Sequence, residues 1–416
     1  GRAHLLDRLA VVATGALCLR YPAAIPVFTF CVMSSYGQWR FTLGDPEITN
    51  RKIVLDLLFT LNAILLLRRW KWLNPNLVVI TLVSVNLIHY WIPGLAKFDA
   101  GNTAVEWLVE DRPSNMMVAG YFVGWNQLWD EAGMVQLYQW LAPLEFPLKI
   151  FVLVVELALL ASFLNHRLMV ALTLGRVLLH TGIWILSGDT FWNWILLQLA
   201  ITVAFWRKPK VEGLFGPLPA ALSAIFVLWT SHSYQASPLG WMDSRLFERY
   251  DLYAITNDNE RVQLEPDFFE PYSFIFCQTK FHFLLGEDDK TLTRTYGAIH
   301  DPRIAKRMRA AKTVDDVRAI IAEEGTVEVD EKKVRALRRF LKRWFTNHRE
   351  KSGGLSHFLD WLSPPPHAYA FARRDKEPYD RREYVKKVEI VYRPIFFDGE
   401  NVHVLDERVV HSVSVK

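Results

Sequence analysis

The stretch from His89 to Asp99, His-Tyr-Trp-Ile-Pro-Gly-Leu-Ala-Lys-Phe-Asp, sets one lysine, Lys97, at the end of a strongly apolar run and just past a Pro93-Gly94 turn. Two roles are open to an amine there. Its stem lies along apolar surface while its charge reaches lipid headgroups, or it loses solvation, its pKa falls and it acts as a base near neutral pH. A second constellation is Arg176 and His180, four apart and so on one helix face, inside another apolar run. Neither is tolerated in lipid without a partner. Glu156, on the preceding apolar segment, is the counter-charge expected across the short Asn165-His166-Arg167 link, with Lys149 two turns below it on the same face. A packed internal ion cluster is one reading of this set, and a polar wall for a substrate headgroup or a proton path is the other. Asp189, in the Gly188-Asp189 link that follows, belongs to the same polar set, and His89 adds a titratable group on the segment leading into Lys97.

Other chemistries find no support. There is no nucleophile elbow, P-loop or dinucleotide fingerprint, and no zinc or other metal-ligand spacing. His357 and His367 flank a proline run without companions and read as surface residues. The three cysteines, Cys18, Cys31 and Cys277, are odd in number and far apart, which gives no disulfide framework. A net charge of +4 is too weak and too dispersed to argue for nucleic acid. The chain opens at Gly1, a start compatible with a leader already removed.

The elements that must position these residues divide the chain in two. Of 416 residues, 51% are hydrophobic, with 16 Trp and 26 Phe, yet mean hydropathy is only +0.09, so a polar half balances an apolar one. Residues 1–236 hold the apolar runs. Leu9–Met33 reads as a span kinked or broken by Arg20, Pro22 and Pro26. Ile53–Leu67 and Leu77–Leu95 follow, then a polar, aromatic-bearing segment from Lys97 to Glu145, then Pro147–Leu164, Leu168–Ser187, Thr190–Trp206 and Gly213–Gln235. By the rule that ~20 residues cross a bilayer, these predict a polytopic α-helical membrane bundle of about six to eight spans. Basic clusters at Arg68-Arg69-Lys71, His166-Arg167 and Arg207–Lys210 alternate with the acid-rich segment holding Glu106, Glu110, Asp111, Asp130 and Glu131. The positive-inside rule then predicts a cytoplasmic N-terminus and an extracytoplasmic C-terminal part.

Residues 237–416 predict a smaller α+β extramembrane domain. Tyr250–Thr256 and Arg261–Leu264 flank Asn257-Asp258-Asn259 as a hairpin. Asp301–Ala311 reads as a helix with Pro302 in its first turn, and Thr313–Gly325 as another with an N-cap and a terminal glycine. Asp330–Arg349 is a basic amphipathic helix with a stripe of Val334, Leu337, Phe340, Leu341 and Trp344. Its basic face reads as a solvated face over a small core, the alternative being contact with lipid headgroups. Ser363-Pro-Pro-Pro366 is a stiff linker, and Tyr384–Tyr392 pairs with Val402–Val410 across Asp398-Gly399.

The run Tyr90-Trp-Ile-Pro-Gly94-Leu-Ala-Lys97-Phe-Asp99 resembles the Tyr…Ala-Gly…Lys-Leu-Asp segment of vitamin K-dependent γ-glutamyl carboxylases and of the wider horizontally transferred transmembrane (HTTM) superfamily. His180-Thr-Gly-Ile and Ser187-Gly-Asp-Thr-Phe191-Trp-Asn-Trp194 are similar to that family's helix, which begins near a histidine and passes through a Gly-x-Phe turn into the next span. The resemblance spans residues 1–235. It implies an HTTM-like bundle with Lys97 as the base that deprotonates a quinol and His180 or His89 stabilising charge. The departures are Ala96-Lys97 where the carboxylases have Lys-Lys, Asp99-Ala-Gly-Asn where they have Asp-x-Asp-Trp, and a C-terminal half unlike their luminal domain. The function expected is therefore a non-carboxylase accessory or structural membrane subunit that holds lipid or a quinone and docks a protein partner, in a larger membrane complex, through its C-terminal domain. The alternatives are a quinol-dependent enzyme of the carboxylase type and a transporter or ion pathway built on Glu156, Arg176 and His180.

Overall fold

The structure, a computed structural model, describes residues 5–38, 48–67, 74–122, 126, 129–189, 191–207, 212–264, 266–269, 297–299, 301–325, 331–349 and 384–415. The clusters Arg68-Arg69-Lys71 and Lys208-Pro209-Lys210, the linker Ser363–Pro366, Cys277, His357 and His367 lie outside the described residues.

Helices α1 (Leu5–Arg20) and α2 (Ile25–Gln38) are separated by Tyr21 and a short 3-10 turn at Pro22–Ala24. Pro22 removes the amide that would continue α1, and Gly15 lies against the Phe28 ring. Of the kinked or broken span expected here, the broken form occurs: two short helices that pack on each other. After α3 (Ile48–Leu67) comes α4 (Pro75–Phe98). Asn74 caps α4 by accepting from the Asn76 amide at 2.8 Å, and Pro75 stands in the first turn, where no intrahelical donor is lost. The turn expected at Pro93-Gly94 does not occur: Pro93 is inside the helix, which continues to Phe98. A proline forfeits one backbone bond, and packing offsets it. A Cβ at position 94 would stand 2.6 Å from Leu157 Cδ2, so Gly94 is what lets the next long helix approach.

The polar segment after Lys97 folds into α5 (Glu106–Glu110), α6 (Ser114–Phe122) and α7 (Glu131–Leu141). Then come α8 (Glu145–Leu157), α9 (His166–Ser187), α10 (Trp192–Trp206) and α11 (Pro217–Tyr234). Asn165 caps α9 through Leu168 N at 2.8 Å, and Gly188 closes it in the left-handed region at φ 79°.

The bundle of about six to eight spans is not what forms. Among the described residues two helices, α4 and α9, are long and apolar enough to cross a membrane. The physical reasons are local. The Pro22 break halves the first run, and the α-helical part of the Pro147–Leu164 run ends at Leu157, where a 3-10 turn at Ala158–Ala161 takes over. The 15 residues of α10 reach only ~22 Å, and α11 carries Ser223, Thr230, Ser231, His232 and Ser233.

The other part of the molecule is an antiparallel sheet ordered β3 (Arg261–Leu264), β2 (Leu246–Thr256), β5 (Val385–Phe397) and β6 (Val402–Val404), with β7 (Arg408–Ser414) also on β5. Its centre is the long pair β2 (Leu246–Thr256) and β5 (Val385–Phe397), in register from Leu246 opposite Phe396 to Ile255 opposite Lys387. Strand β3 (Arg261–Leu264) returns from β2 through a turn in which Asn259 takes φ 68°. The expected Val402–Val410 strand is split into β6 (Val402–Val404) and β7 (Arg408–Ser414), which pair with opposite ends of β5. A two-residue ladder joins β1 (Met242–Asp243) to β4 (Ala298–Ile299). Helices α12 (Pro302–Ala310), capped by Asp301, and α13 (Val314–Glu324), opened by a Thr313/Asp316 capping box, follow. In α14 (Glu331–Arg349), Val334, Leu337, Leu341 and Phe345 are buried against the sheet, so its apolar stripe covers a core.

The sheet is seated on the helices, not suspended from them. Phe247, Ile395 and Phe397 pack with Met117, Tyr121 and Tyr138 of α6 and α7, and Leu246 and Phe396 share a cluster with Trp107 of α5. Gly240 permits the closest approach: a Cβ there would meet the Ala96 carbonyl carbon at 2.4 Å. The opposite pole is where α4, α9 and α11 begin, with Asn76 Nδ2 donating to Glu212 O at 2.8 Å and Gly216 N to Phe163 O at 2.9 Å.

Candidate functional site

Lys97 lies in the last turn of α4 and is 8% exposed. Its ammonium points inward. Nζ donates to Glu156 Oε2 at 2.8 Å and Oε1 at 2.9 Å, to Leu239 O at 3.2 Å and to Pro93 O at 3.3 Å, above the Trp107 ring at 5.5 Å. Every donor has an acceptor, and the pair ties together α4, α8 and the segment entering the sheet.

Glu156 is therefore not the partner of Arg176. Neighbouring residues on a helix point ~100° apart, so Glu156 faces α4 while α9 is met by Val155, whose carbonyl accepts from Arg176 Nε at 3.2 Å. Lys149 is also elsewhere. Seven residues along α8 is ~10 Å, and its Nζ donates to Asp111 O at 2.6 Å and Val109 O at 3.5 Å. Asp189, buried just past the end of α9, has its amide on Ser187 Oγ at 3.1 Å. His89 Nε2 meets Asp56 Oδ2 at 3.1 Å, and Lys52 binds the same carboxylate.

Arg176 and His180 do belong to one site, with residues the sequence reading passed over. Arg176 is wholly buried. Its Nη1 reaches Gln198 Oε1 at 3.4 Å, its Nη2 reaches Ser162 Oγ at 3.5 Å, and its guanidinium lies 5.0 Å from the Tyr90 ring centre. Tyr90 Oη shares a hydrogen bond of 2.9 Å with His180 Nε2, and Gln198 Nε2 donates to Asn86 Oδ1 at 2.8 Å. Trp194 closes the group edge-on to Tyr90 and His180, at 5.0 and 5.1 Å between ring centres. A signal for these residues existed. Asn86 and Tyr90, like Trp194 and Gln198, are polar groups four apart within apolar runs, so each pair shares a helix face.

A third cluster lies at the joint with the sheet. Asp111, 1% exposed, accepts from Asp243 N at 2.7 Å through Oδ1, and its Oδ2 has no partner among the described residues. Trp241 Nε1 donates to Asp243 Oδ1 at 3.0 Å, Asn115 Nδ2 donates to Asp243 O at 3.3 Å, and Ser114 bonds Glu145. Burial pushes the Asp111 carboxyl up to about 7, partly opposed by the Asp243 amide and Lys149, and burial with Asp111 beside it pushes Asp243 well above the usual carboxylate range. In the sequence Asp111 reads only as one acid of a polar segment. No group of three or more His, Cys, Asp or Glu suited to a metal ion occurs among the described residues.

Comparison of the chain with protein-family models, with curated proteins and with solved structures finds no match.

Proposed function

We propose that this chain is an integral membrane protein of non-carboxylase, accessory type, anchored in lipid by the long apolar helices α4 and α9, with its sheet presented outside the cytoplasm to a protein partner. One observation carries the membrane reading. Large apolar side chains line the outside of the helices, with Leu19 92%, Trp229 85%, Leu66 78% and Val203 74% exposed, while Arg176, His180, Glu156 and Lys97 are turned inward. That inversion suits an apolar solvent, and an exposed apolar belt of such extent is a liability in water. Exposed Arg167 and Arg207 at the pole opposite the sheet support a cytoplasmic placement of that pole.

The accessory reading rests on Lys97. Its Nζ is turned to both oxygens of Glu156 and to the carbonyls of Pro93 and Leu239, whereas a general base needs its amine lone pair free and aimed at the substrate. This geometry argues against quinol deprotonation by Lys97. The test is alkaline carbonate extraction of membranes from expressing cells, followed by a native gel of the detergent extract. Retention in the pellet and migration above the monomer are expected. Release by carbonate overturns the membrane reading, and a lone monomer that oxidises a quinol overturns the accessory one.

A further inference from the structure

We propose that the Arg176 cluster is a binding site for an oxyanion, the carboxylate or phosphate group of a small anion or of an amphiphile. Arg176 is a permanent cation with no exposure and no carboxylate partner among the described residues. Its three polar partners are neutral oxygens at 3.2 to 3.5 Å, at the loose end of hydrogen-bond range. Glu156 does not serve it, because both oxygens of that carboxylate are held by Lys97. A buried charge without a counter-ion is expensive, and one within an apolar helical body marks a functional site.

The unmet groups around Arg176 specify the ligand. Asn86 Nδ2, Trp194 Nε1 and His180 Nδ1 are all buried and without a partner among the described residues. The first two are donors only. With Tyr90 donating to His180 Nε2, the ring proton stands on Nδ1 and supplies a third donor. The surroundings therefore offer positive charge and N–H groups with no unmet carboxylate. A ligand that completes them brings negative charge and several acceptor oxygens, and charge-assisted bonds to an oxyanion are the strong form of such contacts. A neutral hydroxyl accepts from at most two of these donors and leaves the charge unbalanced.

Binding is measured on the detergent-purified full chain by tryptophan fluorescence and thermal melting, with oleate, oleyl alcohol and inorganic phosphate as probes. Oleate is expected to bind saturably, more than about tenfold tighter than the alcohol, and Arg176→Gln to abolish the difference. Trp194→Phe removes one donor and preserves an aromatic filler, so it is expected to fold and to weaken oleate severalfold. If Arg176→Gln does not fold, Trp194→Phe and Asn86→Ser decide. Saturable binding of phosphate that competes with oleate and is lost in the variants supports the same site with a free anion as its source. Equal binding of oleate and oleyl alcohol without any phosphate effect, or affinities unchanged in the variants, overturns the proposal. The proposal rests on the membrane reading only for a lipid source. Because binding is read in detergent, its failure is distinguishable from release of the protein by carbonate.

Discussion

Lys97 and Glu156 show how one contact decides between chemistry and architecture. The pair is nearly dry, so removing one partner strands the other's charge, whereas removing both leaves apolar contacts. Lys97→Met and Glu156→Leu are each expected to lower stability by ~3–5 kcal/mol, and the double variant to recover most of that loss. Denaturant unfolding in detergent checks this, and a double variant as unstable as the worse single one contradicts it. Asp111 gives a different signature. Its carboxyl is raised to about 7 by burial, with Glu145 adding to the rise and the Asp243 amide and Lys149 opposing it. The folded chain thus keeps a proton that the unfolded chain releases near the ordinary aspartate value of ~4. Stability is full below that value, falls as pH rises toward 7 and levels off above it, by a few kcal/mol in total. Melting temperatures from pH 4 to pH 8 should show that decline, and Asp111→Asn, which retains an acceptor for the Asp243 amide, should flatten it. A wild-type profile that rises across this range excludes a neutral, buried Asp111.

At the scale of elements, what was legible was what local chemistry fixes. Pro22 stops α1, Asn165 caps α9, Gly188 ends it, and the Asp301 and Thr313 caps start α12 and α13, because each satisfies or denies a backbone group within a turn. The α14 stripe was legible too, although its destination was not: the same pattern suits lipid headgroups or a sheet, and the Val334, Leu337 and Leu341 side chains lie on the sheet. Pro93 misled because a single lost hydrogen bond weighs less than the packing of α8 over Gly94. Nothing local announces the end of α8 at Leu157, within the apolar run Glu-Leu-Ala-Leu-Leu-Ala. The partner of Glu156 was illegible for a related reason. Sequence gives its helix face only modulo the register of the helices around it, and one position separates a side chain aimed at α4 from one aimed at α9. That Lys97, Arg176 and His180 need polar partners was readable, since a charged or titratable group in an apolar run demands one; the identity of those partners was a property of packing.

For the whole molecule, polarity is the quantity that joins fold to function. One pole carries the starts of α4, α9 and α11 with exposed Arg167 and Arg207, and the other carries α5 to α7 and the sheet, joined through Lys97, Asp111 and Gly240. Because the sheet packs on α6 and α7 through Phe247 and Phe397, the two parts turn as one body and a single orientation places both. Under the proposed membrane reading, the positive-inside rule would put the arginines of the distal pole on the cytoplasmic side and β6, with its 55%-exposed Val404, on the other. In a background with Cys18, Cys31 and Cys277 replaced by serine, Val404→Cys is expected to react with a membrane-impermeant maleimide in intact cells. Arg207→Cys is expected to react only after permeabilisation. Labelling in the reverse order inverts the assignment and puts the partner of the sheet inside the cell, and equal labelling of both in intact cells removes the membrane from between the poles.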